Sequence, residues 1–193
     1  RINHLDKPLV VSKDNTDVYF YGIPYLEPDV HAGDGDGQFP VEATQHHVIA
    51  AAMANIKKDF TKKSSNQRSY LIVTAHSWIV GALSSESERN TKLGNLGQVD
   101  ASVFDGAEYV AMGHLHGAQE VKHKGRHQIR YSGSPIPYSF SEKNQIKQVI
   151  SLEIDERGLI EESVKIHLVP QLRSMLKLRA SSEELLSDST PPS

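Results

Sequence analysis

Two short apolar segments, each followed by a histidine, are the features of this sequence that most constrain its fold. The first is the continuous run Tyr70–Ala75, which His76 follows directly. The second is Tyr109–Met112, which is followed by Gly113 and then His114. Continuous apolar runs of about four to eight residues are typical of strands buried on both faces of a sheet in α/β proteins. Because such proteins place ligand-binding side chains at strand ends, we expect these histidines at a common sheet edge.

The spacing of the histidines favours a metal site. In extended backbone, residues two apart point the same way, so His114 and His116 are expected to face one cavity while Leu115 turns into the core. Imidazole is a good ligand for zinc-, manganese- or iron-type ions. We therefore interpret His76, His114 and His116 as candidate metal ligands. The alternative is that each is an ordinary hydrogen-bonded residue that follows a strand.

The rest of the pattern predicts a mixed α/β fold. One helix is expected from Pro40 to about Phe60, where apolar residues recur at helical spacing, and another is expected to start at Ser181. The residues from Ala82 to Gly97 are polar and indicate a loop. Alternating or β-branched segments predict further strands at Pro8–Val11, Val18–Ile23, Gln119–Val121, Gln128–Tyr131, Gln148–Ile154 and Ser163–Val169.

Composition excludes several classes of function. The 193 residues suffice for one domain, or for one domain with an incomplete neighbour. A formal net charge of −3 argues against a strongly basic nucleic-acid binder, and the lack of cysteine excludes disulfides, thiolate metal sites and cysteine nucleophiles.

There is no apolar segment of membrane-spanning length and no signal-peptide pattern, so we expect a cytoplasmic protein without a membrane partner. Because the chain begins with Arg1 and not Met, we expect it to start inside a longer protein.

Four segments resemble one family. They are Thr74–Ser77, Gly81–Glu86, Tyr109–Gln119 and Tyr131–Glu142. Together they resemble the SbcD family of bacterial nucleases, within the calcineurin-like metallophosphoesterases. The Gly-His-x-His segment is shared by that whole superfamily, whereas the Ser-Gly-Ser-Pro-Ile-Pro-Tyr-Ser-Phe run is much more specific. The resemblance extends over most of the chain.

The resemblance implies an α/β fold, namely a four-layer α-β-β-α metallophosphoesterase sandwich of which this chain holds only the C-terminal half. Residues 1–178 would be that half, and residues 179–193 would begin a linker or a capping domain. The family's first three metal motifs, D-x-H, G-D-x-x-D and G-N-H-D, do not occur here as a series. Because half a sandwich cannot cover its own inner face, we expect a large exposed apolar patch on Leu71–Ala75 and Tyr109–Met112, covered by the missing half or by a second copy.

The same resemblance implies a two-metal centre. His76 and His114 would bind one divalent ion and His116 the other, with manganese as the expected metal. The bridging Asp, an Asn ligand and the His that protonates the leaving group would lie upstream, so no catalytic residue is assigned in this chain. The isolated chain is expected to be inactive.

The implied activity is metal-dependent hydrolysis of DNA phosphodiesters in repair, recombination and replication. It would act as an exonuclease on double strands and as an endonuclease on single strands and hairpins. The implied partners are DNA and an SbcC-type ATPase with a long coiled coil, and a homodimer is possible. Two alternatives remain open. One is another calcineurin-like phosphoesterase that acts on a nucleotide or phosphoprotein, and the other is a non-catalytic fragment that only folds or binds a partner.

Two polar segments are candidates for DNA contact. Ser84, Ser85 and Arg89 lie in the loop after the first histidine, and Lys122, Lys124 and Arg126 lie at the tip of a basic hairpin with Arg130. Each segment is equally compatible with an ordinary solvated loop. Ser134 lacks the surroundings of a serine nucleophile and is interpreted as a turn residue.

Overall fold

A six-stranded mixed sheet organises the chain in a computed structural model that describes residues 5–31, 44–64, 68–83, 97–171, 173–179 and 181–186. Its strand order is β1-β2-β3-β6-β8-β7. The four inner strands β2, β3, β6 and β8 run parallel, and the edge strands β1 and β7 are antiparallel to their neighbours. The strands are β1 Leu9–Lys13, β2 Thr16–Ile23, β3 Arg68–His76, β6 Tyr109–Gly113, β7 Gln119–His123 and β8 Arg126–Tyr131.

The remaining elements are short strand pairs and helices. The strands β4 Trp78–Ile79 and β5 Gln98–Val99 form one pair, and β9 Gln148–Asp155 with β10 Gly158–Leu168 forms a longer antiparallel ribbon. The helices are α1 Pro28–His31, α2 Gln45–Lys63 and α3 Ser182–Leu186, and 3-10 turns occupy Ala101–Phe104 and Phe140–Glu142. Among the described residues, no helix is both long and apolar enough to span a membrane.

One face of the sheet carries the core. Because the inner strands are parallel and in register, apolar side chains line up across them in two rows. The rows are Tyr21–Val73–Val110–Ile129 and Ile23–Ala75–Met112–Tyr131. Helix α2 contributes its buried apolar side chains Val48, Ile49, Ala52, Met53 and Ile56 to the same cluster. The helix begins after Thr44, whose side chain accepts a hydrogen bond from the backbone N–H of His47 and so caps the first turn.

The predicted strands are confirmed, with ends within two residues of the prediction except in β10, which begins at Gly158 and not at the predicted Ser163. Helix α2 begins at Gln45 and ends at Lys63, three residues beyond the predicted end at Phe60, while its predicted start at Pro40 lies outside the described residues. The β7–β8 hairpin is tighter than predicted, because its turn is only the dipeptide Lys124–Gly125. Both turn residues have positive φ, 52° and 75°, as the common two-residue hairpin turn requires.

The expectation of an exposed apolar patch on the central strands is wrong. The large apolar side chains of Leu71–Ala75 and Tyr109–Met112 are all buried, including Ile72 and Tyr109 on the face opposite α2. The turn of the β9–β10 ribbon contacts the region beside them, since Tyr70 Oη donates to the Glu156 carbonyl at 2.8 Å and Leu159 N donates to Glu108 Oε1 at 2.8 Å. The exposed large apolar side chains lie elsewhere, and several of them are on β1 and on the β9–β10 ribbon.

Candidate metal centre at the sheet edge

His76 and His114 meet because two parallel strands end side by side. His76 is the last residue of β3 and pairs with Gly113, the last residue of β6, and His114 follows. The two imidazole ring centres are 5.3 Å apart and the rings are nearly perpendicular, at 83°. Two imidazoles that share one ion through nitrogens at about 2.1 Å hold their ring centres roughly 5 Å apart. The spacing of this pair therefore fits one shared ion.

Gly113 makes room for the His76 ring. A Cβ atom at residue 113 would lie 2.9 Å from His76 Nδ1, closer than real Cβ atoms approach a neighbour. A side chain at this position would therefore push the ring away from its place at the end of β3. The glycine of the Gly-His-Leu-His segment thus has a steric role that concerns the neighbouring strand.

The backbone at His114 is not extended, which corrects the geometry assumed from the sequence. His114 has φ of 96°, in the left-handed region that non-glycine residues seldom adopt. Such conformations cost on the order of 1–3 kcal/mol and cluster at functional sites. The chain therefore turns at this residue, and the alternation expected from a strand does not apply. Leu115 still lies in the core, as predicted.

Tyr25 lines the side of the pair formed by His76 and His114. It follows β2, the strand next to β3, and its ring stacks on that of His114 with 6.4 Å between centres and 9° between planes. The same ring meets His76 edge-on at 6.0 Å. Three adjacent parallel strands thus each contribute one ring to this edge. The sequence does not indicate Tyr25 as a site residue, because nothing in its local pattern shows that β2 lies next to β3.

His116 is held by a different set of residues. Its Nδ1 lies 2.9 Å from Glu142 Oε1, and its ring centre is 5.1 Å from that of Tyr138. Glu142 is completely buried and forms an ion pair with Lys147, which is also buried, at 2.7 Å. Glu142 and Lys147 were also missed, because a carboxylate and an amine five residues apart in a polar segment look like surface groups.

The electrostatics of the edge favour neutral imidazole. Burial lowers the pKa of His76, and the nearby His116 lowers it further. A lowered pKa keeps the His76 ring unprotonated at neutral pH, and only the unprotonated ring can bind a metal ion. His76 is nevertheless an exposed residue at the end of β3, so its ring is only partly shielded from water.

The described residues supply part of a metal centre. The donors are imidazoles, which suit zinc-, manganese- and iron-type ions. Within the ranges that the structure describes, however, no group of three or more His, Asp or Glu side chains is placed to hold a metal ion together. The arrangement is therefore one pair, His76 with His114, and a separate third imidazole at His116. The donor set fits a metal in chemistry but is incomplete in this part of the chain.

The structure describes only some of the residues predicted to contact DNA. Ser84, Ser85 and Arg89 lie outside the described residues, as does the side chain of Arg126. At the hairpin, Lys122 is exposed, whereas Lys124 lies 2.5 Å from Asp105.

Other charges of the hairpin also have acidic neighbours. His123 contacts Asp105 at 2.8 Å, and Arg130 pairs with Glu120 at 2.7 Å. Hydrogen bonds from Lys124 and then His123 lower the pKa of the Asp105 carboxyl group, which therefore stays charged at neutral pH. The positive charge of this hairpin is thus partly neutralised.

Ser134 is a structural residue, as predicted. Its hydroxyl donates to the Ile136 carbonyl at 2.8 Å and accepts from Lys147 Nζ at 2.7 Å. Its backbone N–H donates to the His116 carbonyl at 3.1 Å, which ties the turn to the histidine segment. The neighbouring Gly133 has φ of 82°, and a Cβ there would lie 2.7 Å from the same carbonyl.

Comparison with known proteins identifies the relatives of this chain. No protein-family model matches the sequence. The chain is 34% identical over 160 residues to the D subunit of nuclease SbcCD from Escherichia coli K12, an alignment that covers 81% of this chain and 39% of the relative. It is 32% identical over 154 residues to the Bacillus subtilis protein of the same name, covering 68% and 39%. The Staphylococcus epidermidis protein of that name is 27% identical over 188 residues, covering 97% and 46%.

These matches confirm the resemblance inferred from the sequence. The chain is an α/β protein related over most of its length to the D subunits of SbcCD nucleases. It spans about two fifths of the length of the curated relatives it matches.

Proposed function

We propose that this chain is part of an SbcD-type, metal-dependent DNA nuclease. One observation carries the proposal: in a chain related to the D subunits of SbcCD nucleases, His76 and His114 meet at the ends of two parallel strands at a spacing that fits one shared ion. The proposed reaction is hydrolysis of DNA phosphodiesters, from duplex ends and within single strands or hairpins. The proposed partners of the whole protein are DNA and an SbcC-type ATPase.

The proposed fold of the whole domain is the α-β-β-α sandwich. Residues 1–178 would form its C-terminal half, and residues 179–193 would begin the next segment. Two observations support this division: helix α2 covers one face of the sheet, and the chain spans only about two fifths of its relatives. The exposed apolar side chains Val149, Ile166 and Leu168 of the β9–β10 ribbon are the proposed contact for the missing half.

The proposed metal assignment follows the geometry. His76 and His114 would hold one divalent ion and His116 a second, with manganese as the proposed metal. Such ions lower the pKa of bound water and neutralise charge on the phosphate. In this chain, Tyr25 packs against both rings of the first pair, and partial desolvation lowers the pKa of His76. Two cations close together repel unless a carboxylate lies between them, and the proposed bridging carboxylate lies upstream.

A nuclease assay on two proteins tests the proposal. We expect no DNA hydrolysis by the 193-residue chain with Mn²⁺, and Mn²⁺-dependent cleavage by the longer parent protein. His114→Ala in the parent should abolish cleavage. The matched control is His167→Ala, which removes an exposed histidine on β10, outside the site. Cleavage that survives His114→Ala, or that is lost equally in His167→Ala, contradicts the proposed role of the histidine pair.

A further inference from the structure

The buried ion pair of Glu142 and Lys147 contacts both the ring and the backbone of His116. Glu142 Oε1 contacts the ring at Nδ1, at 2.9 Å. Lys147 Nζ contacts Glu142 Oε2 at 2.7 Å and lies 3.3 Å from the backbone carbonyl of His116, the longest of its contacts. The ring and the main chain of His116 are thus bound to the same pair of charges. Both charged groups are buried, although isolated charges are costly to bury.

The two charged groups are satisfied by several hydrogen bonds. Lys147 Nζ donates to Ser134 Oγ at 2.7 Å and to Gln145 Oε1 at 2.9 Å, in addition to Glu142. Glu142 Oε2 also accepts from the backbone N–H of Tyr138 at 3.3 Å. A buried pair with its remaining hydrogen-bonding capacity filled is rigid, because moving either group leaves polar atoms unpaired. The set therefore fixes the carboxylate that faces His116.

The chemistry of the pair determines which nitrogen of His116 carries the proton. A carboxylate beside an ammonium group is ionised and can only accept hydrogen bonds. Nδ1 must therefore donate to Glu142, so Nε2 is the unprotonated nitrogen of the neutral ring. Carboxylates that orient metal-binding histidines in this way commonly alter metal affinity about 10- to 100-fold.

We infer that Glu142, fixed in place by Lys147, is a positioning residue that holds His116 in the Nδ1–H form, in which the unprotonated Nε2 is the nitrogen that can bind a divalent cation. The ligand role of His116 rests on the proposed function, whereas its tautomer does not. Glu142 and Lys147 act through the histidine and do not themselves bind the ion. The segment after β8 thus supplies the residues that position His116, which follows β6.

The test is the tautomer of His116, observed in long-range ¹H–¹⁵N correlation spectra of the 193-residue chain. Spectra are recorded well above the usual histidine pKa of about 6.5, and the signals are assigned with a His116→Gln variant. We expect a single Nδ1–H form. A predominant Nε2–H form overturns the inference without need of any other variant.

A double substitution separates positioning from stability. Glu142→Leu with Lys147→Met replaces both charges by apolar groups of similar size, which buried pairs generally tolerate. We expect a folded chain in which the Nδ1–H form is no longer dominant. Asp59→Leu with Lys63→Met is the matched control, because it removes an ion pair of the same 2.7 Å length on α2 and leaves the Glu142–His116 contact intact. An unchanged tautomer in a folded double variant overturns the inference.

Metal addition distinguishes this inference from the proposed function. In a Mn²⁺ titration, the concentration that broadens the His116 ring signals should rise about 10- to 100-fold in the double variant. Equal broadening in both proteins, with the tautomer changed, overturns the link to metal binding. If Mn²⁺ broadens neither His116 nor His114 in the unsubstituted chain, the proposed function fails, while the tautomer still decides the role of Glu142.

Discussion

Replacing Gly113 by alanine should weaken metal binding through His76 while the fold survives. The added methyl group would lie 2.9 Å from His76 Nδ1, against an ordinary contact distance of about 3.5 Å. The ring must therefore move by roughly 0.6 Å, about three times the tolerance of about 0.2 Å on metal–ligand distances. We expect Mn²⁺ affinity to fall about 10- to 100-fold, or about 1.4–2.7 kcal/mol.

The effect on stability should be small because two terms oppose each other. Alanine in a strand is favoured over glycine by about 0.5–1 kcal/mol, and residue 113 does not have a positive φ. Overpacking against the ring costs about 1–3 kcal/mol. The net loss in the free energy of unfolding should therefore stay near or below about 2 kcal/mol.

Isothermal titration with Mn²⁺ and urea denaturation measure the two quantities on the same protein. Gly117→Ala is the matched control, because a Cβ there would make only ordinary contact, 3.5 Å from Gln145 Nε2. The control should keep its Mn²⁺ affinity. The reasoning is refuted if Gly113→Ala binds Mn²⁺ as tightly as the unsubstituted chain, or if both glycine variants lose affinity equally.

Three further predictions concern stability. Lys147→Met alone leaves the buried Glu142 charge without its ammonium partner, so urea denaturation should show a loss of about 3–5 kcal/mol; a loss below about 1 kcal/mol would contradict the buried pair. Since His114 has φ of 96°, His114→Gly should be about 1 kcal/mol more stable than His114→Ala, and equal stabilities would argue against the left-handed backbone. Burial raises the pKa of Asp59, but hydrogen bonds from Lys63 and Tyr21 outweigh it and hold this pKa below its ordinary value of 3.8. The stabilisation by Asp59 is therefore present above pH 3.8 and lost as pH falls through the lower, folded-state pKa. Denaturation across this range should show a smaller pH dependence in Asp59→Asn, and an identical dependence would contradict the shift.

Much of the fold could be predicted because local runs and periodicities of apolar residues determine its strands and helices. The runs Tyr70–Ala75 and Tyr109–Met112 predicted buried strands, and the long segment between them is compatible with their parallel pairing. Such runs also indicate burial on both faces, as Ile72 and Tyr109 show, but which distant residues cover the second face could not be predicted from local patterns.

The site could be predicted only at its histidines. Their place after two strands indicated the sheet edge, but the turn at His114 depends on a φ value that no residue pattern revealed. The residues around the histidines come from distant segments: Tyr25 from the strand beside β3, and Glu142 and Lys147 from the loop after β8. Their roles depend on tertiary contacts between segments that are far apart in the sequence.

The most direct test of the central claim is anomalous scattering from crystals of the chain soaked in manganese. The claim is that His76 and His114 bind one ion at the ends of β3 and β6. It predicts a manganese peak within coordination distance of a ring nitrogen of both histidines. Manganese bound elsewhere, with no peak between these two rings, would contradict it.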